Sequence, residues 1–234
     1  MRISGIALLV FVAAIAGCQA TTPTVESLAD ELLAKAREAE PTVSAELEAI
    51  AESAPAQLAG LDHKFKKRGS LIRKIESHLA RDPDLTVQRV RITDALRYTL
   101  LIEDDPRGLY LRTVREVVQQ FEADGHEVIE LKNYWPRGDD YSGINSVFRA
   151  PNGLDWELQF HTPDSYHTAK GNRAPYERMR LTTTPPEEQR KLYEQMVATW
   201  EGVAIPEGIL VPRALHEREV IRKREPPKPA YRAP

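Results

Sequence analysis

Residues 155–162 read Asp155-Trp156-Glu157-Leu158-Gln159-Phe160-His161-Thr162, and the rest of the chain is best interpreted from this segment. Apolar and polar side chains alternate along it, and a period of two predicts a β-strand with one face of each kind. The alternating residues are Trp156, Leu158 and Phe160 on the apolar face and Glu157, Gln159 and His161 on the polar face. A polar face of this kind is typical either of a half-exposed antiparallel strand in contact with water or of a functional site.

Further strands are predicted upstream of this segment. Ile144 to Arg149 forms a strand, and Pro151-Asn152-Gly153 joins it to residues 155–162 in a hairpin. Glu127 to Tyr134 is another strand. Val87 to Glu103 is a strand or strand pair rich in Val, Ile, Thr and Tyr, with Asp94 in its middle. A carboxylate inside such a run is costly unless it is paired or solvated, so Asp94 is a candidate functional residue.

Helical patterns lie before, between and after the strands. They are predicted for residues 28–40, for 42–55 with Thr42 as its cap, for the basic segment 62–79, for 105–125 opened by Asp105-Pro106, for a helix opened by Thr162-Pro163, and for one opened by a capping box at Thr184-Pro185-Pro186-Glu187. Pro41 is expected to separate the first two. The sum is an α+β fold, a mixed sheet of about four to five strands flanked by helices.

Length and composition indicate one ordinary domain with accessory segments. The chain has 234 residues, a net charge of -3 and 41% hydrophobic residues. A charge this close to neutral gives no general case for binding nucleic acid. We expect four regions: a signal peptide at 1–17, a tether with the N-terminal helices at 18–55, the main domain at 56–202, and a charged, proline-rich tail at 203–234.

The N-terminus has the features of a bacterial lipoprotein signal. Met1-Arg2 supplies a basic start, and the apolar run at 6–15 is too short to span a bilayer comfortably. Ile15-Ala16-Gly17-Cys18 resembles the lipobox, in which the cysteine is lipidated after cleavage, and Cys18 is the chain's one cysteine. The resemblance implies a membrane-anchored lipoprotein of the cell envelope, and Gln19 favours the outer membrane, facing the periplasm. An ordinary signal peptide with a chance cysteine is the alternative.

Five short motifs between Gly60 and Arg180 carry a resemblance to a known family. They are Lys64-x-Lys66-x-x-x-Ser70-x-x-x-Lys74, Ile92-Thr93-Asp94, Lys132-Asn133-Tyr134 with Tyr141-Ser142-Gly143-Ile144-Asn145, Glu157-Leu158-Gln159-Phe160-His161-Thr162, and Tyr166-His167-x-x-Ala169-Lys170. Their order and spacing resemble those of RelA/SpoT-type alarmone synthetases. The resemblance covers roughly half of the chain and implies a nucleotidyltransferase-like fold.

The resemblance also implies a chemistry, the transfer of pyrophosphate from Mg-ATP to a hydroxyl of an acceptor nucleotide. Such a transfer needs positioned cations, a divalent metal and a group that takes the hydroxyl proton. Asp94 and Glu157, expected on neighbouring strands, are then the catalytic and Mg²⁺-binding pair, with Glu157 as the base. Tyr141 stacks on the acceptor base. The other substrate-binding candidates are Lys64, Lys66, Ser70 and Lys74, expected on one helix, with Arg97, Lys132, Asn145, Gln159 and His161.

Three departures from the family pattern leave the acceptor open. The family has Asp-x-x-Gly-x-Arg where this chain has Asp94-Ala95-Leu96-Arg97-Tyr98-Thr99, and Arg97, two residues from the missing arginine, stays on the same strand face. Asn145 replaces a histidine, and His161 replaces an arginine. Two other functions therefore stay open: a non-catalytic envelope lipoprotein that uses the fold as a binding module, and a toxin-type relative that modifies adenine nucleotides or tRNA.

Overall fold

The computed structural model describes residues 23–136, 138–181 and 183–222. The predicted signal peptide, Cys18 and the end of the chain after residue 222 lie outside the described residues. The elements are α1 (Val25–Ser53), β1 (Ala56–Ala59), α2 (Arg68–Arg81), β2 (Arg97–Ile102), α3 (Leu109–Ala123), β3 (Glu127–Asn133), β4 (Ile144–Arg149), β5 (Asp155–His161), α4 (Pro163–Gly171), α5 (Arg173–Met179), α6 (Pro186–Trp200) and β6 (Glu219–Ile221). Within the described ranges no helix combines the length and apolar character that crossing a membrane requires.

The strands form one mixed sheet, which confirms the predicted α+β class. Its six strands follow the order β1-β2-β5-β4-β3-β6. The pairs β2–β5 and β3–β6 are parallel, and the other pairs are antiparallel. The four predicted strand regions supply the centre of the sheet. The edge strands β1 and β6 have only four and three residues, too few for a clear period of two, and the sequence did not predict them.

One face of the sheet is covered by α1 and α3 and forms the core. Trp156 of β5 is fully buried there, stacked on Phe148 at 5.1 Å between ring centroids and in edge contact with Phe121 of α3 at 5.1 Å. Tyr98 of β2 faces the same side, and its hydroxyl lies 2.7 Å from Ser44 Oγ of α1. The opposite face of the sheet is therefore left to the polar residues.

The prediction of two N-terminal helices separated at Pro41 is wrong. A single helix, α1, begins after the Thr24 cap and runs through Pro41. A proline inside a helix costs about 3 kcal/mol because it removes a hydrogen bond and crowds the preceding turn. Buried side chains on both sides of it, including Leu33 and Leu47, pack into the same core, and this burial outweighs the cost. Residues 25–53 are thus part of the main fold.

The basic segment is also not one helix. Leu61–His63 is a short 3-10 turn, and α2 begins only at Arg68. Between them Phe65 pairs with Leu96 in an isolated bridge, so Lys64 and Lys66 lie in a non-helical segment beside the start of β2. Asp94 is likewise placed in the loop that leads into β2 rather than inside a strand.

Two predicted helix caps differ from the observed ones. The N-cap of α3 is Gly108, and Asp104 Oδ1 accepts hydrogen bonds from the backbone N–H groups of Gly108 and Tyr110. The predicted capping box at Thr184 is absent, because the Thr184 hydroxyl donates instead to the backbone carbonyl of Arg178. Neither difference moves the apolar face of the helix concerned, since burial of that face sets the helix position.

The domain does not end at residue 202, so the predicted tail boundary is wrong. Val203 and Ile209 are buried in the core, and β6 pairs with β3. Glu219 of β6 is buried, where its Oε1 accepts from Asn133 Nδ2 at 2.8 Å and its Oε2 from the Leu215 backbone N–H at 3.1 Å. A buried carboxylate with these partners holds the C-terminal segment to the sheet.

Glu219→Ala is expected to lower the free energy of unfolding by about 2 kcal/mol, because it leaves the Leu215 backbone N–H and one of the two amide hydrogens of Asn133 without an acceptor, the other being bonded to the Ile209 carbonyl. Urea unfolding of the variant and the wild type measures this change. Glu217→Ala, which removes an exposed carboxylate from the same segment, is the matched control and should stay within about 0.5 kcal/mol of the wild type. Equal stability of the two variants would mean that Glu219 does not anchor the segment.

Candidate functional site

The sheet face opposite the core carries the predicted polar residues. The alternation predicted for β5 is confirmed, since its apolar residues are buried in the core and Glu157, Gln159 and His161 lie on the other face. Strand register places four polar side chains in one row across the sheet. The row consists of Lys132 of β3, Asn145 of β4, Gln159 of β5 and Thr99 of β2. Arg97 lies beside Glu157 in the next row.

Asp94 is the buried acid at the end of this face. Its side chain is 11% exposed, and Lys66 Nζ lies 2.6 Å from its Oδ2 and Lys74 Nζ 2.8 Å from its Oδ1. Burial alone would raise the pKa of Asp94, but the charges of Lys74 and Lys66 and their hydrogen bonds outweigh it and hold the pKa below its usual value. Asp94 is therefore ionised, and two of the predicted phosphate-binding lysines are gathered around it.

Glu157 has the opposite electrostatic character. Burial raises the pKa of Glu157, and the charge of Asp94 raises it further against the opposing charges of Arg97 and the two lysines. Gln159 Nε2 donates to Glu157 Oε1 at 2.8 Å and fixes the carboxyl group, so Oε2 is the atom placed to take a proton. Two neighbouring carboxyl groups whose pKa values are driven apart are typical of an acid/base or metal-binding site.

Lys64 does not join this cluster, contrary to the predicted grip. Its ammonium group pairs with Glu40 of α1, and the hydrogen bond from Lys64 holds the pKa of Glu40 below its usual value. Glu40 also accepts from Ser44 at 2.7 Å, and Ser44 contacts the Tyr98 hydroxyl, so this pair lies on the side of the sheet that carries α1. The sequence spacing predicted Lys64 and Lys66 on one helix. Because the segment that carries them is not helical, this spacing does not tell which of the two lysines faces Asp94.

Ser70 and Lys132 stand at the margins of the face. Ser70 lies one turn before Lys74 on α2, which places both on one side of that helix, and its Oγ accepts from Arg73 at 3.0 Å. Lys132 Nζ pairs with Glu130 of the same strand at 3.0 Å, and Arg222 pairs with the same carboxylate at 3.1 Å. Glu130 and Arg222 are not among the sequence-predicted site residues, and Arg222 lies in the segment predicted to be a tail.

Tyr141 is held at the other end of the polar row. Its hydroxyl donates to Asn145 Oδ1 at 2.7 Å and lies 2.9 Å from His161 Nε2. Its ring makes edge contacts with Tyr134, His161 and Trp200 at 5.4 to 5.9 Å between centroids. Burial lowers the pKa of His161 to about 3, so the imidazole is neutral at physiological pH. The structure thus brings Tyr141, Asn145 and His161 together, three candidates that the sequence singled out separately.

A divalent metal fits the two acids. Within the described part of the chain there is no group of three or more His, Cys, Asp and Glu side chains that would enclose an ion. Mg²⁺ commonly binds one or two carboxylates and completes its shell with water and substrate phosphates. Asp94 Oδ1 is buried, and its charged neighbour is Lys74 Nζ at 2.8 Å, in a geometry that does not meet that of a good hydrogen bond. Asp94 also lies close enough to Glu157 to raise the pKa of that group. The pair therefore has the carboxylate donor set for such an ion, with Lys74 as the present partner of Asp94 Oδ1.

Comparison with known proteins identifies the fold. No protein-family model matches the sequence, and no curated protein matches it significantly. Small alarmone synthetase 1 from Bacillus subtilis bound to its product pppGpp is similar in structure, with a TM-score of 0.52 and 14% identity over 74% of this chain and 91% of that chain. A second structure of that synthetase gives a TM-score of 0.50 and 13% identity over 74% and 90% of the two chains.

A type VI effector, Tas1, in complex with its immunity protein, is 20% identical over 74% of this chain and 94% of that chain, with a TM-score of 0.47. Identities this low show the fold alone. The chain therefore has a mixed α+β fold like that of the small alarmone synthetases.

Proposed function

We propose that the protein is a pyrophosphokinase that transfers pyrophosphate from Mg-ATP to a hydroxyl of an acceptor nucleotide. The observation that carries this proposal is the cluster of Asp94, Glu157, Lys66 and Lys74, in which an ionised acid, a carboxyl group of raised pKa and two cations meet on one sheet face. The likeness in fold to a synthetase solved with pppGpp supports it. Pyrophosphoryl transfer needs these groups and little other covalent chemistry from the protein.

Each residue has a definite part in such a transfer. The acceptor hydroxyl gives its proton to Glu157, and its oxygen forms a bond to the β-phosphorus of ATP. The bond from that phosphorus to the oxygen bridging the α-phosphate breaks, and AMP leaves with that oxygen. Lys66 and Lys74 hold the phosphate oxygens. Mg²⁺, when bound by Asp94 and Glu157, neutralises phosphate charge.

The ion pairs of the free protein are part of this proposal. Lys66 and Lys74 neutralise Asp94 and thereby stabilise a buried charge before any nucleotide binds. A triphosphate carries more negative charge than one carboxylate, so these lysines would exchange Asp94 for the phosphate oxygens. The Asp94 carboxylate would then be available to bind Mg²⁺. Arg97, half-buried beside Glu157, adds a third cation on the same face.

The direct experiment uses the purified full-length protein with Mg²⁺, ATP and separate acceptors: GTP, GDP, ADP and tRNA. We expect AMP together with a pyrophosphorylated form of one acceptor, resolved by ion-exchange chromatography and mass spectrometry. A product from ADP or tRNA would assign the toxin-type activity that Asn145 and His161, in place of the family's histidine and arginine, leave open. Absence of AMP with every acceptor, from protein shown to be folded by circular dichroism, would contradict the proposal.

Lys74→Met is expected to raise the KM for ATP about tenfold or more, because it removes a charged hydrogen-bond donor from the phosphates. Lys64→Met is the matched control: its partner is Glu40 on the other side of the sheet, so the KM for ATP should stay the same while stability falls by about 1 kcal/mol. Steady-state kinetics and urea unfolding measure the two effects. An equal rise of KM in both variants would place Lys64 in the site after all.

A non-catalytic binding module is the second candidate, and one observation favours it. Three of the lysines on this face are already paired with carboxylates, Lys66 and Lys74 with Asp94 and Lys132 with Glu130. On this alternative the protein binds nucleotide, measured by equilibrium dialysis, but releases no AMP. Glu157→Gln and Asp94→Asn would then leave every phenotype unchanged.

We further propose that Cys18 anchors the protein to the cell envelope, in the outer membrane facing the periplasm. Cys18→Ser is expected to move the protein from the membrane fraction to the soluble fraction, because a polypeptide without acyl chains loses about 0.8 kcal/mol of membrane binding per buried methylene group. Membrane fractionation and intact-mass measurement of the wild type check this. A wild-type mass without acyl chains would contradict the assignment.

A further inference from the structure

A chain of hydrogen bonds runs from α4 along the polar face of the sheet through four side chains. Ser165 Oγ of α4 lies 2.9 Å from His161 Nδ1, and His161 Nε2 lies 2.9 Å from the Tyr141 hydroxyl. The Tyr141 hydroxyl then donates to Asn145 Oδ1 at 2.7 Å. Each distance is that of a normal hydrogen bond.

The direction of the chain is set at its Asn145 end. An amide oxygen only accepts, so the single hydroxyl hydrogen of Tyr141 points to Asn145. Tyr141 must then accept from His161, which places the imidazole hydrogen on Nε2 and leaves Nδ1 as an acceptor for Ser165. The Ser165 hydroxyl also donates to the Thr162 carbonyl at 3.0 Å, so its single hydrogen is shared between that carbonyl and His161 Nδ1, and the tautomer of His161 is set by the Tyr141–Asn145 end of the chain.

Burial and packing make the arrangement rigid. His161 is 1% exposed and Ser165 is fully buried, so water does not replace either hydrogen bond. Gly143 closes over the pair: a Cβ at this position would lie 2.9 Å from His161 Cε1 and 3.1 Å from the Tyr141 hydroxyl. The Tyr141 ring is also held in edge contact by Trp200. A neutral imidazole suits this site, because an isolated charge would be costly there.

The far end of the chain faces the proposed substrate. Because Asn145 Oδ1 is committed to Tyr141, its amide nitrogen is turned away from that ring, and no hydrogen bond engages the nitrogen within the described residues. Strand register puts Asn145 between Lys132 and Gln159 on the polar face. Its two N–H donors are thus available in the middle of the row.

We infer that Ser165, His161 and Tyr141 form a hydrogen-bond relay that positions Asn145 as a donor to an oxygen atom of the acceptor nucleotide. The inference rests on the proposed function for the identity of the ligand, but not for the relay itself. Asn145 is the residue that touches the acceptor, Tyr141 is fixed beside it, and His161 and Ser165 act through them as positioning residues. The relay fixes the orientation of the Asn145 side-chain amide without adding a charge to the acceptor site.

The relay is tested first without any substrate. In ¹⁵N–¹H spectra of the full-length protein, His161 should show one neutral tautomer with the hydrogen on Nε2, unchanged between pH 5 and 8 as the buried neutral ring requires. Asn145→Asp, which keeps the accepting oxygen, should leave this signal as it is. A hydrogen on Nδ1, or a charged imidazole in this range, would overturn the relay.

Binding is tested with variants along the relay. Tyr141→Phe and Ser165→Ala should raise the KM for the acceptor about tenfold, with kcat and the KM for ATP little changed, and Asn145→Asp should raise it at least as much. Ser146→Ala is the matched control, because Ser146 is equally buried and its hydroxyl donates to the Leu158 carbonyl outside the relay. If Ser165→Ala behaves like Ser146→Ala, the inference fails.

The two proposals fail separately. If the wild type forms no AMP, the proposed function is lost, while the tautomer measurement still decides the relay. In that case equilibrium binding of GTP, GDP and ADP replaces the KM values, and the same order of variants is expected. If the wild type does form AMP, a correct tautomer with an unchanged acceptor KM in Asn145→Asp would overturn the role of Asn145 and leave the pyrophosphokinase proposal standing.

Discussion

Glu157→Gln is expected to reduce the rate of AMP formation by a factor of about 100 to 10,000, because it replaces the proton-accepting oxygen of the general base with an amide. The substitution keeps the size of the side chain, so the half-buried position should tolerate it. Single-turnover measurement of AMP release with saturating ATP and acceptor isolates this step from product release.

Asp155→Asn is the matched control for Glu157→Gln. It makes the same chemical change on the same strand, at a carboxylate that pairs with Arg91 and Arg149 away from the lysine cluster, and should leave AMP formation unchanged. The pH profile adds a second readout. Since the pKa of Glu157 is raised, the rate of the wild type should already fall with acid above pH 4.5, the ordinary value for this group. Equal activity of the two variants would remove Glu157 from the mechanism.

Asp94→Asn is expected to lower activity about 100-fold or more, because it removes the ionised metal ligand and the partner of two lysines. It should also shift the acidic limb of any remaining activity to lower pH, since the charge of Asp94 contributes to the raised pKa of Glu157. Asp84→Asn, an exposed carboxylate in the segment before it, is the matched control. A shift of the acidic limb of the pH–rate profile to higher pH would contradict the conclusion that the charge of Asp94 raises the pKa of Glu157.

Stability gives an independent measure of Asp94. Because the folded-state pKa lies below the ordinary 3.8, ionised Asp94 contributes stability that is fully present above that value and is lost as the pH falls through the folded-state pKa. Asp94→Asn should therefore be less stable than the wild type at neutral pH, and the difference should shrink in strong acid. Urea unfolding at several pH values measures it. If the difference in the free energy of unfolding between the two proteins does not change with pH, the charge of Asp94 is not the cause of its stabilising effect.

The centre of the fold was predictable from the sequence because its signals are local. Alternation along residues 155–162, the Asn-Gly turn before them and the apolar face of α3 each depend on neighbouring residues, and the structure has the corresponding strand, hairpin and helix. The α+β class follows from these elements together. Local patterns failed where distant packing prevailed, as at Pro41, which the core contacts of α1 keep within one helix.

The site was predictable in part, for the same reason. The strand that carries Glu157 and Gln159 shows its polar face directly, and register then brings Asn145 and Lys132 into the same row. The position of Lys64 depends on Glu40, which is remote in sequence, and no pattern near Lys64 indicates that pairing. Ser165 gave no signal either, because a serine in the first turn of a helix is ordinary until His161 is seen beneath it.

The pairing of β6 with β3 also orders events while the chain is being made. Synthesis proceeds from the N-terminus, so β3 is finished long before β6, and its outer edge has no strand partner until Ile221 has emerged. During that interval the edge exposes unpaired backbone groups on which strands of other chains can assemble, and Asn133 lacks the carboxylate that later covers it. Pairing of β6 with β3 therefore removes an edge on which strands of other chains can assemble.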